Sequence, residues 1–346
     1  MAREVRSEVF ERMRESYALV TELGLPSIKS EYWSDLLSKG RQDYGGKGEF
    51  IERDDLWLGF RNNVITKGLD NANVPEEALE RVHAKWRSIY ERLSGLIPEC
   101  FRPYLEESPV GNPRGVEIDG IQVTQSSLEY TYMLTHLDGY LDGVEVVVDI
   151  GGGYGGLARL IKLSRPEVRV VLVDLPEVNA IQTYFLSCAF PDESVLGLTD
   201  VETLEAIDAR EVGADFLILP GPLMEKLRPS SFELVINTRS MMEMDLATVS
   251  FYLGQVQSKL PENGVFYTVN RYEKKTRLKD YPFDDRWFVS YSRPWPTFID
   301  ENPHHELAAV RTRLPVVEGV KEHLQRLPPY DGVADRMRAW VDRRWS

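Results

Sequence analysis

The spacing of apolar residues along the chain changes near residue 145. From residue 1 to about residue 105 they recur mostly every three or four residues, as at Val9, Met13 and Tyr17, and this period predicts amphipathic helices. After residue 145, short apolar runs alternate with segments of helical or loop character. The runs that predict strands are residues 145–150, 169–174, 215–219, 233–237 and 264–269.

This alternation predicts an α/β fold built on a mostly parallel sheet with helices on both faces. Two later segments, DRWFVSYSRP and HHELAAVRTRL, predict a final pair of strands. We expect this pair to supply a terminal strand that is antiparallel within the otherwise mostly parallel sheet. We therefore divide the chain into a helical N-terminal region (1–115), an α/β domain (116–315) and a C-terminal helical tail (316–346). The N-terminal region is a candidate acceptor lid or dimerisation element.

The α/β domain is expected to open on a hairpin followed by a helix. Residues 116–124 alternate apolar and polar positions around Asp119-Gly120, a dipeptide that favours a type I′ turn. In the next segment, SSLEYTYMLTHLDGYL, Ser126 and Glu129 have the spacing of a capping box. That spacing predicts a helix beginning at this point.

Composition narrows the range of partners. The 346 residues carry a formal net charge of −14, which argues against a nucleic-acid backbone or an anionic membrane surface as the main partner. The two cysteines, Cys100 and Cys188, lack metal-site spacing, which is typical of a reducing compartment. The charged N-terminus does not resemble a signal peptide. We expect a cytoplasmic protein with a small-molecule substrate.

The stretch VVVDIGGGYGGLARL satisfies two ligand fingerprints at once. As Gly151, Gly153 and Gly156 it is G-x-G-x-x-G, the dinucleotide turn. As Asp149, Gly151, Gly153 and Gly155 it is D-x-G-x-G-x-G, the turn that binds S-adenosylmethionine (SAM) in class I methyltransferases. In both cases glycine lets the backbone turn tightly and approach the ligand.

Charge favours SAM over a dinucleotide. A dinucleotide places its pyrophosphate at the helix N-terminus, where a carboxylate such as Asp149 helps little. SAM instead brings an ammonium and a sulfonium, which suit Asp149. Asp174 ends the next strand and can accept hydrogen bonds from ribose hydroxyls, which both ligands possess. A nicotinamide-dependent oxidoreductase therefore remains the alternative.

Several blocks together resemble a known family. VVVDIGGGYGGLARLI, VVLVDLPEV, NTRSMMEMD and YPFDDRW are similar to the sugar O-methyltransferases of bacterial antibiotic and polysaccharide gene clusters, typified by the nanchangmycin sugar methyltransferase. The resemblance covers roughly residues 107–313. It implies a Rossmann-like class I SAM-dependent fold and methylation of a hydroxyl on a sugar or related glycoside.

The resemblance also implies roles for individual residues. The methionine half of SAM would lie along Asp149 and the turn that contains Gly151, Gly153, Tyr154 and Gly155. Ribose and one face of adenine would contact Asp174 and Leu175. The remaining cofactor contacts would be Pro220, which borders the adenine, and Asn237, near the sulfonium.

A sugar hydroxyl is a weak nucleophile, so a base that removes its proton assists the transfer. Glu243 follows the fourth strand, and His304 and His305 begin the last strand. If that strand is antiparallel, its start lies at the ligand edge, with one histidine pointing inward and the other outward. Asp284-Asp285 is the one pair of residues in the sequence that suggests a metal site. Because the sequence offers no obvious third ligand beside it, we expect no metal.

Overall fold

The computed structural model describes residues 4–25, 76–110, 113, 115–295 and 303–328. Much of the C-terminal tail, residues 329–346, lies outside the described residues. The described part of the N-terminal region contains the helices α1 (Glu4–Glu22) and α2 (Glu76–Leu93). Short 3₁₀ turns connect α2 to the α/β domain.

The α/β domain opens on the expected hairpin. Strands β1 (Val116–Ile118) and β2 (Ile121–Val123) pair antiparallel. Asp119 and Gly120 have φ values of 53° and 82°, which is the left-handed geometry of a type I′ turn. The hairpin prediction is confirmed.

Helix α3 (Gln125–Leu141) follows the hairpin, and its capping differs from the prediction. Thr124 is the N-cap: its side chain accepts from the Ser127 backbone, and the Ser127 hydroxyl accepts from the Thr124 backbone. The proposed box of Ser126 and Glu129 is therefore wrong by two residues. Thr124 takes the cap because the hairpin ends in extended backbone there, and Glu129 instead pairs with Arg239.

The domain is built on an eight-stranded mixed sheet. Its strands are β3 (Val146–Ile150), β4 (Arg169–Asp174), β5 (Val195–Leu196), β6 (Phe216–Pro220), β7 (Leu234–Thr238), β8 (Val265–Arg271), β9 (Trp287–Pro294) and β10 (His304–Arg311). The spatial order is β5-β6-β4-β3-β7-β8-β10-β9. The first six strands in that order are parallel to one another, and β10 is antiparallel to both β8 and β9.

Helices cover both faces of this sheet. On one face α3, α4 (Gly156–Ser164) and α5 (Pro176–Ala189) bury apolar side chains, and the N-terminal helices extend the same cluster through Met13 and Trp86. The other face is covered by α7 (Leu246–Lys259) and α8 (Val320–Gln325), while the short α6 (Leu198–Val201) lies near the edge. All five residues of β3 are buried, as expected for a central strand covered twice.

The fold class is thus a Rossmann-like α/β arrangement with a mostly parallel sheet and a terminal antiparallel strand, as predicted. The two-residue edge strand β5 was not predicted, because so short a segment carries no measurable periodicity. Among the described residues, no helix combines the length and apolar character needed to cross a bilayer.

Candidate functional site

The order of the strands defines where a ligand can bind. From β3 the chain proceeds to β4, β5 and β6 on one side, and then crosses to β7 and β8 on the other. In such sheets the crevice at the carboxyl ends of the strands, where the order reverses, is the usual ligand site. Here that crevice lies at the end of β3, where the glycine turn begins.

The glycine turn adopts a conformation that requires glycine. Gly151, Gly153 and Gly155 have φ values of 71°, 58° and 93°, all in the left-handed region that side chains disfavour. A Cβ on Gly151 would also collide with the side chain of Ser240. The turn is therefore specified by backbone geometry and by close packing from the loop after β7.

Asp149 is a fully buried carboxylate beside this turn. Among the described residues, neither of its oxygens has a hydrogen-bond partner. Its Oδ2 packs so closely against Gly152 that a Cβ there would lie 2.5 Å away. Burial, and secondarily the charge of Asp174, raise the pKa of Asp149 to about 7. Because a buried carboxylate without a partner is costly, this position fits a cationic ligand at the turn.

Asp174 connects the glycine turn to helix α5. It accepts hydrogen bonds from the backbone N–H of Gly153 at 3.2 Å and of Leu175 at 2.7 Å. Burial raises the pKa of Asp174 to about 7 against the opposing effect of these hydrogen bonds. Pro220 pairs with Asp174 across the strands and is buried. Four predicted cofactor contacts therefore lie together: Gly153, Asp174, Leu175 and Pro220.

Gln182 is a site residue that sequence reasoning missed. From α5 its amide donates to the Gly153 carbonyl at 2.8 Å and to Asp174 Oδ2 at 3.2 Å. Its side chain is buried, so it fixes both the turn and the carboxylate. The available signal was a polar residue on the apolar face of a predicted helix, where helical spacing places it next to the end of β4.

Asn237 is the second-last residue of β7, and its amide group is hydrogen-bonded within the protein. Its amide nitrogen donates to the Ile150 carbonyl at 2.8 Å and to Ser240, and its oxygen accepts from Asn270 at 2.7 Å. Ser240 Oγ also donates to the Ile150 carbonyl. These bonds hold the end of β3 in position. Asn237 is thus placed beside the turn, with its hydrogen-bonding groups committed to supporting it.

His305 lies in a chain of polar side chains on the face covered by α8. Its Nδ1 is 2.7 Å from the Tyr272 hydroxyl and its Nε2 is 2.7 Å from the Ser292 hydroxyl, which in turn is 2.6 Å from His323 Nε2. Burial, with a smaller effect from His323, lowers the pKa of His305 to about 3. His305 is therefore a neutral, internally bonded imidazole near neutral pH.

His304 begins β10 opposite Arg271, at the carboxyl edge of β8. This confirms that an antiparallel last strand brings its start to the ligand edge. As successive residues of a strand, His304 and His305 point to opposite sides of the sheet, as strand alternation predicted. Both are nevertheless buried, at 1% and 2% exposure, because both sides are covered.

Glu243 lies in the loop after β7 and forms an ion pair with Lys274. Asp284, one of the two residues considered as a metal-binding pair, accepts a hydrogen bond from Arg311 Nη2 at 2.9 Å. Within the described part of the chain, no three His, Cys, Asp or Glu side chains are grouped as metal ligands.

Comparison with known proteins is consistent with this geometry. Residues 114–195 match the family model of the O-methyltransferase domain. This stretch contains the glycine turn, Asp174 and Gln182. A myricetin O-methyltransferase from Catharanthus roseus is 32% identical over 66 residues, which cover 19% of each chain. The chain thus matches about a fifth of the length of this curated relative.

Solved structures with similar folds are distant. StiE O-MT has a TM-score of 0.40 at 9% identity, covering 59% of this chain and 82% of that one. TrmN from Thermus thermophilus has a TM-score of 0.37 at 12% identity, covering 53% of this chain and 48% of that one. The fold assignment accordingly depends on the sheet order and the turn. The sheet order and the turn agree with the similarity of residues 114–195 to the O-methyltransferase domain.

Proposed function

We propose that this chain is a SAM-dependent O-methyltransferase that methylates a hydroxyl of a sugar or glycosylated natural product. The observation that carries the proposal is the buried carboxylate of Asp149, which has no hydrogen-bond partner in the part of the chain that the structure describes and lies against a three-glycine left-handed turn. Such a position suits a sulfonium and an ammonium, and it disfavours the pyrophosphate of a dinucleotide.

The cofactor supplies an electrophilic methyl group on a positively charged sulfur. The protein positions it: Gly151, Gly153 and Gly155 allow close backbone approach, and Asp174 has the chemistry to accept ribose hydroxyls. Leu175 and Pro220 border the adenine region. Alignment of the acceptor oxygen with the methyl group supplies much of the rate enhancement in such in-line transfers.

His304, His305 and Glu243 are the candidates for the base that removes the acceptor proton. They differ in their surroundings. Both ring nitrogens of His305 contact hydroxyl groups of the protein, so His305 would act through Tyr272 rather than touch the acceptor. Glu243 would have to exchange its contact with Lys274 for the acceptor hydroxyl. His304 lies at the carboxyl edge itself.

The sugar acceptor is supported by the blocks shared with bacterial sugar O-methyltransferases. The competing acceptor is a non-sugar hydroxyl compound, which the name of the myricetin O-methyltransferase relative favours. A nicotinamide-dependent oxidoreductase is the alternative from another enzyme class, and the buried carboxylate of Asp149 at the turn counts against it. We further propose a cytoplasmic enzyme whose N-terminal region (1–115) serves as an acceptor lid or a homodimer contact.

The test is to incubate the full chain with SAM and separate acceptor pools: nucleotide sugars, finished glycosides, and phenols including myricetin. Mass spectrometry would detect the gain of one methyl group and locate it on an oxygen. The proposal expects methylation within the sugar pools. Methylation of phenols alone would reject the sugar acceptor, and stabilisation by NAD(H) without any methyl transfer would reject the class.

A further inference from the structure

An ion pair joins helix α3 to the loop after β7. The carboxylate of Glu129 contacts the Nη1 group of Arg239, and the two side chains are 5% and 27% exposed. Gln125, one turn earlier on α3, donates to the other Glu129 oxygen at 3.2 Å. The pair thus connects two elements that border the crevice at the end of β3.

Two neighbouring residues show that this pair lies beside the glycine turn. Ser240, next to Arg239, packs against Gly151 so closely that a Cβ there would collide with it. Tyr130, next to Glu129, is the nearest group to the position of a Gly153 Cβ, with its hydroxyl 4.0 Å away. The turn is therefore flanked by the two residues adjacent to the ion pair.

The charges that shift the pKa of Tyr130 also indicate that this residue lies close to the ion pair. Burial raises the pKa of Tyr130 well above its usual value, and the charges of Tyr154, Glu129 and Asp149 raise it further, while that of Arg239 lowers it. Because such effects fall off with distance, the Tyr130 hydroxyl lies near both members of the pair and near Asp149. Of these groups, the Tyr130 hydroxyl lies 4.0 Å from the position of a Gly153 Cβ.

Arg239 has unused hydrogen-bonding capacity at this position. Its Nε and Nη2 are shielded from solvent and have no partner among the described residues. These two atoms form the side-on fork of the guanidinium, which matches a carboxylate in a bidentate manner. The backbone of Arg239 is left-handed, with φ of 61°, a conformation that is costly for a side chain of this size and recurs at ligand sites.

We propose that Glu129 and Arg239 bind the amino-acid end of the cofactor, with Arg239 taking its carboxylate through Nε and Nη2 and Glu129 lying beside its ammonium. The inference rests on the proposed function. SAM ends in a zwitterion, and a partly buried ion pair whose arginine has one unused fork offers a partner of opposite charge to each of its two groups. The Glu129–Nη1 contact holds the fork in place.

The experiment compares two ligands that differ at this end. S-adenosylhomocysteine carries the amino acid, whereas 5′-methylthioadenosine keeps the nucleoside and thioether without it. Isothermal titration calorimetry on the full chain would measure both. We expect Arg239→Gln to weaken S-adenosylhomocysteine binding about tenfold to hundredfold, the range of a charge-assisted hydrogen bond, and to leave methylthioadenosine binding unchanged.

The matched control is Arg165→Gln. Arg165 pairs with Asp138 and Asp142 at the opposite end of α3, and its side chain is 25% exposed, close to the value for Arg239. This variant should bind both ligands as the wild type does. If Arg239→Gln does not fold, Arg239→Lys keeps the charge and loses the fork. It should weaken S-adenosylhomocysteine about tenfold without affecting methylthioadenosine.

Two results would overturn the inference while leaving the proposed function intact. Unchanged S-adenosylhomocysteine affinity in the Arg239 variants would show that Arg239 does not bind the carboxylate of the cofactor. Equal weakening of both ligands would show a structural role in holding the turn. If the wild-type protein binds neither ligand, the proposed function itself fails, and this inference fails with it.

Discussion

The carboxylate of Asp174 adds to the effect of burial in raising the pKa of Asp149 to about 7. Asp174 ends one strand and Asp149 lies near the end of its neighbour, so parallel pairing brings two acids to one edge. Such an arrangement is costly when both are ionised, and a cationic ligand would relieve the cost.

Asp149→Asn should stabilise the unliganded protein at about pH 8. The folded-state pKa is raised, so the contribution to stability is fully present below the unfolded pKa of 3.8 and is lost as pH rises through about 7. The gain should be on the order of a few kcal/mol and should shrink towards acidic pH. Denaturant unfolding at several pH values measures it, with exposed Asp192→Asn as the control. A pH-independent difference would contradict the assignment.

Asp174→Ala should weaken S-adenosylhomocysteine binding about tenfold or more, because it removes the ribose acceptor and the bonds to Gly153 and Leu175. Gln182→Leu removes one donor to the carboxylate and keeps the carboxylate itself. It therefore measures how much the positioning of Asp174 contributes to binding. Its effect should be in the same direction and smaller. Calorimetry of both variants checks this order, and a larger loss for Gln182→Leu would reverse it.

His305→Gln should make folding stability less dependent on pH in mildly acid solution. The folded-state pKa of His305 is lowered from 6.5 to about 3, so the unfolded chain binds more protons between these values. Stability should therefore be lost as pH falls below 6.5, by up to about 1.4 kcal/mol per pH unit. Unfolding at about pH 7.5 and pH 5 compares wild type and variant. Equal losses would show that His305 titrates normally.

Replacement of the candidate bases should separate turnover from cofactor binding. We expect His304→Ala to lower kcat by about a hundredfold with nearly unchanged affinity for S-adenosylhomocysteine. Glu243→Gln and His305→Ala serve as the comparisons in the same assay. If Glu243→Gln alone reduces kcat, Glu243 is the base, and if all three variants retain wild-type rates, positioning alone explains the transfer.

Periodicity was sufficient for most of the sheet, because central strands buried on both faces are continuous apolar runs. It also placed the start of β10 at the ligand edge. Periodicity could not foresee that both His304 and His305 would be buried, since this depends on which helices cover the outer strands. The capping error at Ser126 arose because the end of the hairpin sets the start of the helix at Thr124, and this position depends on the fold of the hairpin.

The glycine turn and its acids were identifiable because each has a fixed place relative to a strand end. The supporting contacts were not. Gln182, Ser240 and Arg239 act on the turn from elements that are distant in sequence, and only the tertiary fold brings them together. Asn237 was recognised by its position at a strand end, but its bonds to Ile150 and Asn270 depend on the neighbouring strands.

Calorimetric titration of the full-length chain with S-adenosylhomocysteine and, separately, with NAD⁺ tests the central claim most directly. Both ligands carry an adenosine, so they differ in the part that meets Asp149 and the glycine turn. Saturable binding of S-adenosylhomocysteine with no detectable binding of NAD⁺ is the predicted result. Binding of NAD⁺ without S-adenosylhomocysteine would contradict the assignment of this turn to SAM.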